Sequence, residues 1–242
     1  MNARFLLPFF VLAGLVVVIS LACGTTSGTV QTTNPPAESI QPTEVQAATA
    51  TPAVEAKPYF VENQFTDMSN WTYYVFKGDE NKMSITNDSG VLKFDLEGTN
   101  IWVYFMYDPY TYTDVRIDAT AENRGKNNNN VSLICRYNDE GWYEFNIANN
   151  GLYWILAYIQ ADKKYYTLYN GGSTAIKQGK DVNDYTASCV GNTLTLSING
   201  SQVRTVADNI YKLRKGQIGV GVSSFEVTPI IVEWDSIAVS QP

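Results

Sequence analysis

The stretch Val131-Ser132-Leu133-Ile134-Cys135-Arg136-Tyr137-Asn138-Asp139-Glu140-Gly141-Trp142-Tyr143-Glu144-Phe145-Asn146-Ile147-Ala148 decides the fold. Two runs flank the turn residues Asn138 to Gly141. Side chains along a strand alternate between faces with a period of two. In the first run Val131, Leu133, Cys135 and Tyr137 share one face, and Ser132, Ile134 and Arg136 share the other. In the second, Tyr143, Phe145 and Ile147 form an apolar face, while Trp142, Glu144 and Asn146 point away. Such a pattern predicts a hairpin with one face in a core.

The same rhythm continues outward. Residues 83–87 and 91–96 flank Asp88-Ser89-Gly90, and 101–107 and 112–121 are split at Asp108-Pro109. Residues 152–159 follow Asn149-Asn150-Gly151. Residues 193–198 and 202–206 flank Asn199-Gly200, a strong two-residue hairpin signal. Residues 185–190, 216–222 and 230–239 complete the set. No window of a dozen residues has helical spacing. Many short strands between turn signals predict an all-β sandwich or closed barrel.

The stretches 132–137, 142–147 with Gly151, 187–200, 216–220 and 232–239 together resemble concanavalin A-like lectin/glucanase jelly rolls, including the laminin-G-like and 3-keto-disaccharide hydrolase-type domains of bacterial surface proteins. The resemblance spans roughly residues 60 to 240. It implies a two-sheet antiparallel jelly-roll sandwich whose ligands often sit on a concave face. Some relatives bind or cleave glycans and others are interaction modules, so function must be argued from the site.

Residues 1–22 have the order of a secretory signal: Arg4, then an apolar stretch from Phe5 to Ile19, then Ser20, Leu21 and Ala22 before Cys23. The apolar stretch is shorter than the roughly 20 residues that span a bilayer. Ile19-Ser20-Leu21-Ala22-Cys23-Gly24 resembles the lipobox of bacterial lipoproteins, although Ser20 stands where that family usually has Leu. The resemblance implies acylation of Cys23, palmitate included, cleavage before it, and a membrane anchor that faces the cell exterior or periplasm. An ordinary secretory signal is the alternative. Residues 23–58 are rich in Thr, Ala, Pro, Ser and Gln, with no aromatic residue, and cannot bury enough surface to order themselves. As a flexible tether they span roughly 30 Å root-mean-square. All five Trp and all 16 Tyr lie in residues 59–242, which form the one folded domain.

There are three cysteines, Cys23, Cys135 and Cys189. If Cys23 carries lipid, an even pair remains in an oxidising compartment. Tyr185, Ala187 and Cys189 share a strand face, as do Leu133 and Cys135. A Cys135–Cys189 disulfide is expected, with two buried free thiols as the alternative. The formal charge is −7, and removal of residues 1–22, whose only charged residue is Arg4, makes it about −8. An acidic chain argues against nucleic acid as a partner. A monomer is expected.

The chain has no histidine. That excludes Ser-His-Asp and Cys-His catalysis and the commonest metal ligand. Glycoside hydrolysis needs two carboxylates across the sugar bond. The Glu-x-Asp-x-x-Glu strand motif of concanavalin A-like glucanases is absent. Glu140 and Glu144 lie too far apart on a regular strand, and Glu233 with Asp235 reads as a polar strand end. No catalytic residue is therefore assigned, and no cofactor. Glu62, Asp67 and Asp235 are candidate ligands for a structural Ca²⁺, without a diagnostic spacing.

A ligand-binding face is better supported. Sugars stack on flat aromatic rings while polar neighbours fix their hydroxyls. Arg136, Trp142, Glu144 and Asn146 share one sheet face by parity, and Trp154 and Tyr158 extend it. The competing reading is that these aromatics are covered, because both faces of 152–159 are apolar. Three functions follow: a non-catalytic carbohydrate-binding module, a glycan-cleaving or glycan-modifying hydrolase, and an envelope protein-interaction domain. For the anchor, Cys23→Ser is expected to move the chain from the detergent phase to the aqueous phase in a phase-partition assay. Retention of the variant in the detergent phase would contradict lipidation at Cys23.

Overall fold

A computed structural model describes residues 55–242. Cys23, the signal and the tether to residue 54 lie outside the described residues. The strands are β1 (Phe60–Glu62), β2 (Trp71–Lys77), β3 (Met83–Asp88), β4 (Val91–Leu96), β5 (Trp102–Tyr112), β6 (Val115–Asn123), β7 (Asn129–Asn138) and β8 (Gly141–Ala148). They continue as β9 (Leu152–Ile159), β10 (Lys164–Gly172), β11 (Val182–Val190), β12 (Thr193–Ile198), β13 (Ser201–Ala207), β14 (Gly216–Ser224) and β15 (Ile230–Ser240). One 3-10 turn, Glu80–Lys82, is the only helical element among the described residues.

These strands form two antiparallel sheets, as expected for a jelly-roll sandwich. The first has the order β13-β12-β11-β6-β15-β4-β3, with β1 also paired to β15. The second has the order β10-β9-β8-β7-β14-β5-β2. The 131–148 hairpin is β7 and β8, central in the second sheet. Its apolar face, Val131, Leu133, Cys135, Tyr143, Phe145 and Ile147, packs in the main core against Tyr185, Ala187, Leu196, Val232 and Trp234 of the first sheet. The strands β1, β2 and β10 do not emerge from the sequence pattern. In β10 a register irregularity between Thr167 and Tyr169 breaks the alternation that would reveal it.

The Cys135–Cys189 disulfide forms, closing a separation of 54 residues and joining β7 of one sheet to β11 of the other. Beside it the parity reading fails. Arg136 has φ 58°, and the β7 register shifts against both β8 and β14 at this point. An extra residue in one strand turns every later side chain over. Arg136 therefore points into the sandwich, fully buried, and Tyr137, expected in the core, joins the outer face with Trp142 and Tyr74.

Arg136 acts as a buried tie. Its guanidinium donates to the Thr113 and Leu213 carbonyls at 3.0 and 2.9 Å and sits 3.5 Å from the Asp114 carboxylate. Tyr143 extends this lock: its hydroxyl donates to Asp208 and accepts from the Leu213 N–H. Burial alone would raise the Asp208 pKa, but the Tyr143 hydroxyl and the N–H groups of Ile210, Tyr211 and Lys212 outweigh it and hold the carboxyl below its usual range. The segment between β13 and β14 is thus fixed over the end of the sandwich where the disulfide lies. Reduction of the disulfide, or the Cys135→Ala/Cys189→Ala pair, is expected to cost about 2–4 kcal/mol of stability, read from urea unfolding with and without reductant. Coincident unfolding curves would contradict this.

Candidate ligand pocket on the concave sheet

The face of the second sheet that points away from the core carries short, ordered rows. On β8 the outward residues are Trp142, Glu144 and Asn146; opposite them on β9 are Tyr158, Leu156 and Trp154. The β7 row is Ile134, Ser132 and Asn130, and the β5 row is Met106, Tyr104 and Trp102. Between β7 and β5 runs β14 with Gly219, Gly221 and Ser223. A Cβ on Gly221 would come within 2.5 Å of the Tyr104 ring, and one on Gly219 within 2.5 Å of the Met106 sulfur. Both glycines let the β5 side chains lie flat across the sheet.

The sheet curls until its edges meet. From β5 to β10 there are five strand spacings, about 24 Å along a flat sheet. Yet the Tyr104 and Tyr165 hydroxyls are 2.7 Å apart, and the Trp102 and Tyr165 rings are 5.9 Å apart. Phe76 of edge strand β2, at a register shift between Val75 and Lys77, leans over the same face. Its ring lies 5.5 Å from Tyr165, 5.1 Å from Tyr158, 5.7 Å from Trp142 and 6.0 Å from Trp102. Trp142 stacks on Tyr158 with centroids 4.1 Å apart. Together these rings plug the middle of the concave face. Trp142 retains 3% exposure and Tyr158 5%.

Glu144 lies beneath the plug, 1% exposed. Its carboxylate accepts from Ser132 Oγ at 2.6 Å, Asn146 Nδ2 at 2.8 Å and the Tyr104 hydroxyl at 2.9 Å. Burial first, and the nearby Glu144 charge second, push the Tyr104 and Tyr165 hydroxyls well above the usual phenol range, so both stay protonated. These bonds hold Glu144 as a structural anchor under a roof. Among the described residues, no carboxylate joins it in the pocket next door.

That pocket opens at the far end of the same face. It has a volume of about 280 Å³ and is lined by Trp102, Asn130, Asn146, Trp154, Leu156 and Phe225. By strand order Trp102 and Trp154 flank the two asparagines, which are linked by a hydrogen bond from Asn130 Nδ2 to Asn146 Oδ1. Of the residues proposed from sequence, the structure gathers Trp142, Glu144, Asn146, Trp154 and Tyr158 on one face. Only Asn146 and Trp154 line the open pocket; Trp142, Tyr158 and Glu144 are enclosed, and Arg136 lies on the opposite side of the sheet. Trp102, Asn130, Leu156 and Phe225 lie outside the set that the sequence points to, and Asn130 belongs to β7. A signal for Trp102 existed, since it shares a strand face with Tyr104 and Met106; Phe225 directly follows β14 outside any strand and has no periodicity to reveal it.

No metal centre emerges. Glu62 caps the N–H groups of Gln64 and Phe65, and Asp67 accepts from Ser69 N–H. Asp235 lines a separate surface hollow with Glu122, Arg124 and Glu233. Among the described residues no three His, Cys, Asp or Glu side chains are grouped to hold a metal ion.

Removing the anchor tests this geometry. Glu144→Ala leaves the Ser132, Asn146 and Tyr104 donors without their acceptor and is expected to cost about 2–4 kcal/mol, read by thermal unfolding. Glu144→Gln, which keeps one acceptor, is expected to lose less. Equal stability of Glu144→Ala and the parent would show that the carboxylate is not held as described.

No family model matches the chain, and no curated protein matches it. Solved structures share its architecture. A protein of unknown function with a galectin-like fold from Bacillus subtilis superposes with a TM-score of 0.60 at 12% identity, covering 77% of this chain and 97% of that one. The carbohydrate binding module CBM66 from Bacillus subtilis gives 0.53 at 10% identity, over 71% of this chain and 96% of that one. The Bacillus licheniformis beta-glucanase gives 0.56 at 11% identity, over 78% of this chain and 100% of that one. At such identities the likeness establishes a shared jelly-roll fold.

Proposed function

We propose that the chain is an exported module, anchored to a membrane through lipid on Cys23, that binds carbohydrate without cleaving it in the pocket between Trp102 and Trp154. The observation that carries this reading is the pocket itself. It is lined by two indoles and by the amide of Asn130, which Asn146 holds in place, a combination of flat apolar surface and a hydrogen-bonding group that suits sugars. Structures with the same fold include both a carbohydrate binding module and glucanases, so glycan recognition is a use to which this architecture is put.

The absence of cleavage rests on carboxylates. Two are needed about 5–10 Å apart across the bond. No pocket-lining residue is acidic, and the neighbouring Glu144 is roofed by Tyr104 and Tyr165 with both oxygens occupied. Counting on from Glu144, the positions that would complete Glu-x-Asp-x-x-Glu hold Asn146 and, in the turn after β8, Asn149. The disulfide fits the oxidising compartment that an exported protein meets.

A glycan array with the parent and Trp154→Ala tests the reading. The parent is expected to bind at least one glycan. Trp154→Ala is expected to weaken that binding by about tenfold or more, equivalent to about 1.4 kcal/mol, with unchanged circular dichroism. No binding by the parent, or release of reducing ends from a bound glycan, would count against it.

A further inference from the structure

We infer that the pocket takes the end of a glycan chain and excludes internal segments of a polymer; this rests on the carbohydrate reading above and specifies what that site accepts. The reason lies in the plug. A polysaccharide lying across a concave sheet needs an open groove from one edge strand to the other. Here the edges are joined: Phe76 of β2 meets Tyr165 of β10 at 5.5 Å, and Trp102 of β5 meets it at 5.9 Å. The Tyr104–Tyr165 contact between hydroxyls, 2.7 Å, closes the floor below.

Trp102 belongs to both features. Trp102 lines the pocket, and its ring stacks on Phe76 at 6.0 Å with 22° between planes. The pocket therefore ends at the back of the plug. Leu156, which also lines it, sits one step along β9 from the enclosed Tyr158. A ligand entering from the Asn146 and Phe225 end meets aromatic side chains where a longer chain would have to continue. The volume agrees. Pockets for drug-sized ligands run about 300–1,000 Å³, and 280 Å³ falls just below that range. One or two sugar rings fill such a space.

The plug is a fixed part of the fold. Besides its strand neighbour Tyr74, Phe76 makes ring contacts with five aromatic residues of other strands, Trp102, Tyr104, Trp142, Tyr158 and Tyr165. A glycan would have to displace all of them to thread the groove.

The test uses the full chain in detergent. It is titrated with oligosaccharides of one to six rings from the β-1,3-gluco, mixed-linkage gluco, fructo and N-acetylglucosamine series. Its retention on laminarin, mixed-linkage glucan, levan and chitin is measured before and after partial random hydrolysis, which multiplies chain ends at constant mass. For any series that binds, affinity is expected to level off within about twofold beyond two rings, and retention to rise with the number of ends. Phe76→Ala, which takes away the plug's contact with β2 and opens it on that side, is expected to increase dependence on length; if that variant does not fold, the parent series decides. A gain of tenfold or more between two and six rings, or retention indifferent to chain ends, would overturn the inference while leaving carbohydrate binding intact. No binding by the parent in any series would overturn both, and the two failures are thereby told apart.

Discussion

The concave sheet is organised by one buried contact, the meeting of Glu144, Tyr104 and Tyr165. A carboxylate taken out of water is costly unless its oxygens are satisfied. Here Ser132, Asn146 and Tyr104 supply the donors, and the Tyr104 hydroxyl in turn contacts that of Tyr165. Because Tyr104 is on β5 and Tyr165 on β10, this network links strands that sheet order places far apart. Satisfying Glu144 and curling the sheet are the same event. Gly219 and Gly221 make room for it by leaving the centre of β14 without side chains.

The curl decides what remains of the concave face. Behind the Tyr104–Tyr165 contact, Phe76, Trp142 and Tyr158 fill the space with stacked and edge-on rings. In front of it, Trp102 and Trp154 stand apart with Asn130 and Asn146 nearby. The open part of this face is thus reduced to one short pocket. The convex sheet shows no comparable concentration of aromatics; its outward positions include Arg116, Asp118, Thr120 and Glu122, which pair among themselves and with neighbours.

The opposite end of the sandwich is tied by different means. The Cys135–Cys189 bridge joins the sheets, and Arg136 and Tyr143 fasten the turn after β5 and the segment before β14. A disulfide limits the unfolded chain, while the guanidinium ties down the Thr113 and Leu213 carbonyls. Both act where β7 carries its bulge, so the irregularity that misdirected the parity argument is also where the loops are secured.

Sequence alone determined the all-β class, the β7–β8 hairpin and the strands that turn at clear Gly or Asn signals, and it favoured the disulfide over two free thiols. These are legible because burial on one face imposes a period of two, and because an exported chain with two core-facing cysteines can bridge them. It also placed Trp142, Glu144, Asn146, Trp154 and Tyr158 on a common face. Parity could not show that Arg136 turns inward, because a single residue at φ 58° resets the alternation. Nor could it separate open from enclosed members of that face. That outcome depends on Phe76 and Tyr165, which come from opposite edges of the sheet and lie 89 residues apart in the chain. Local periodicity holds no record of which edges meet; only the curvature of the assembled sheet brings them together.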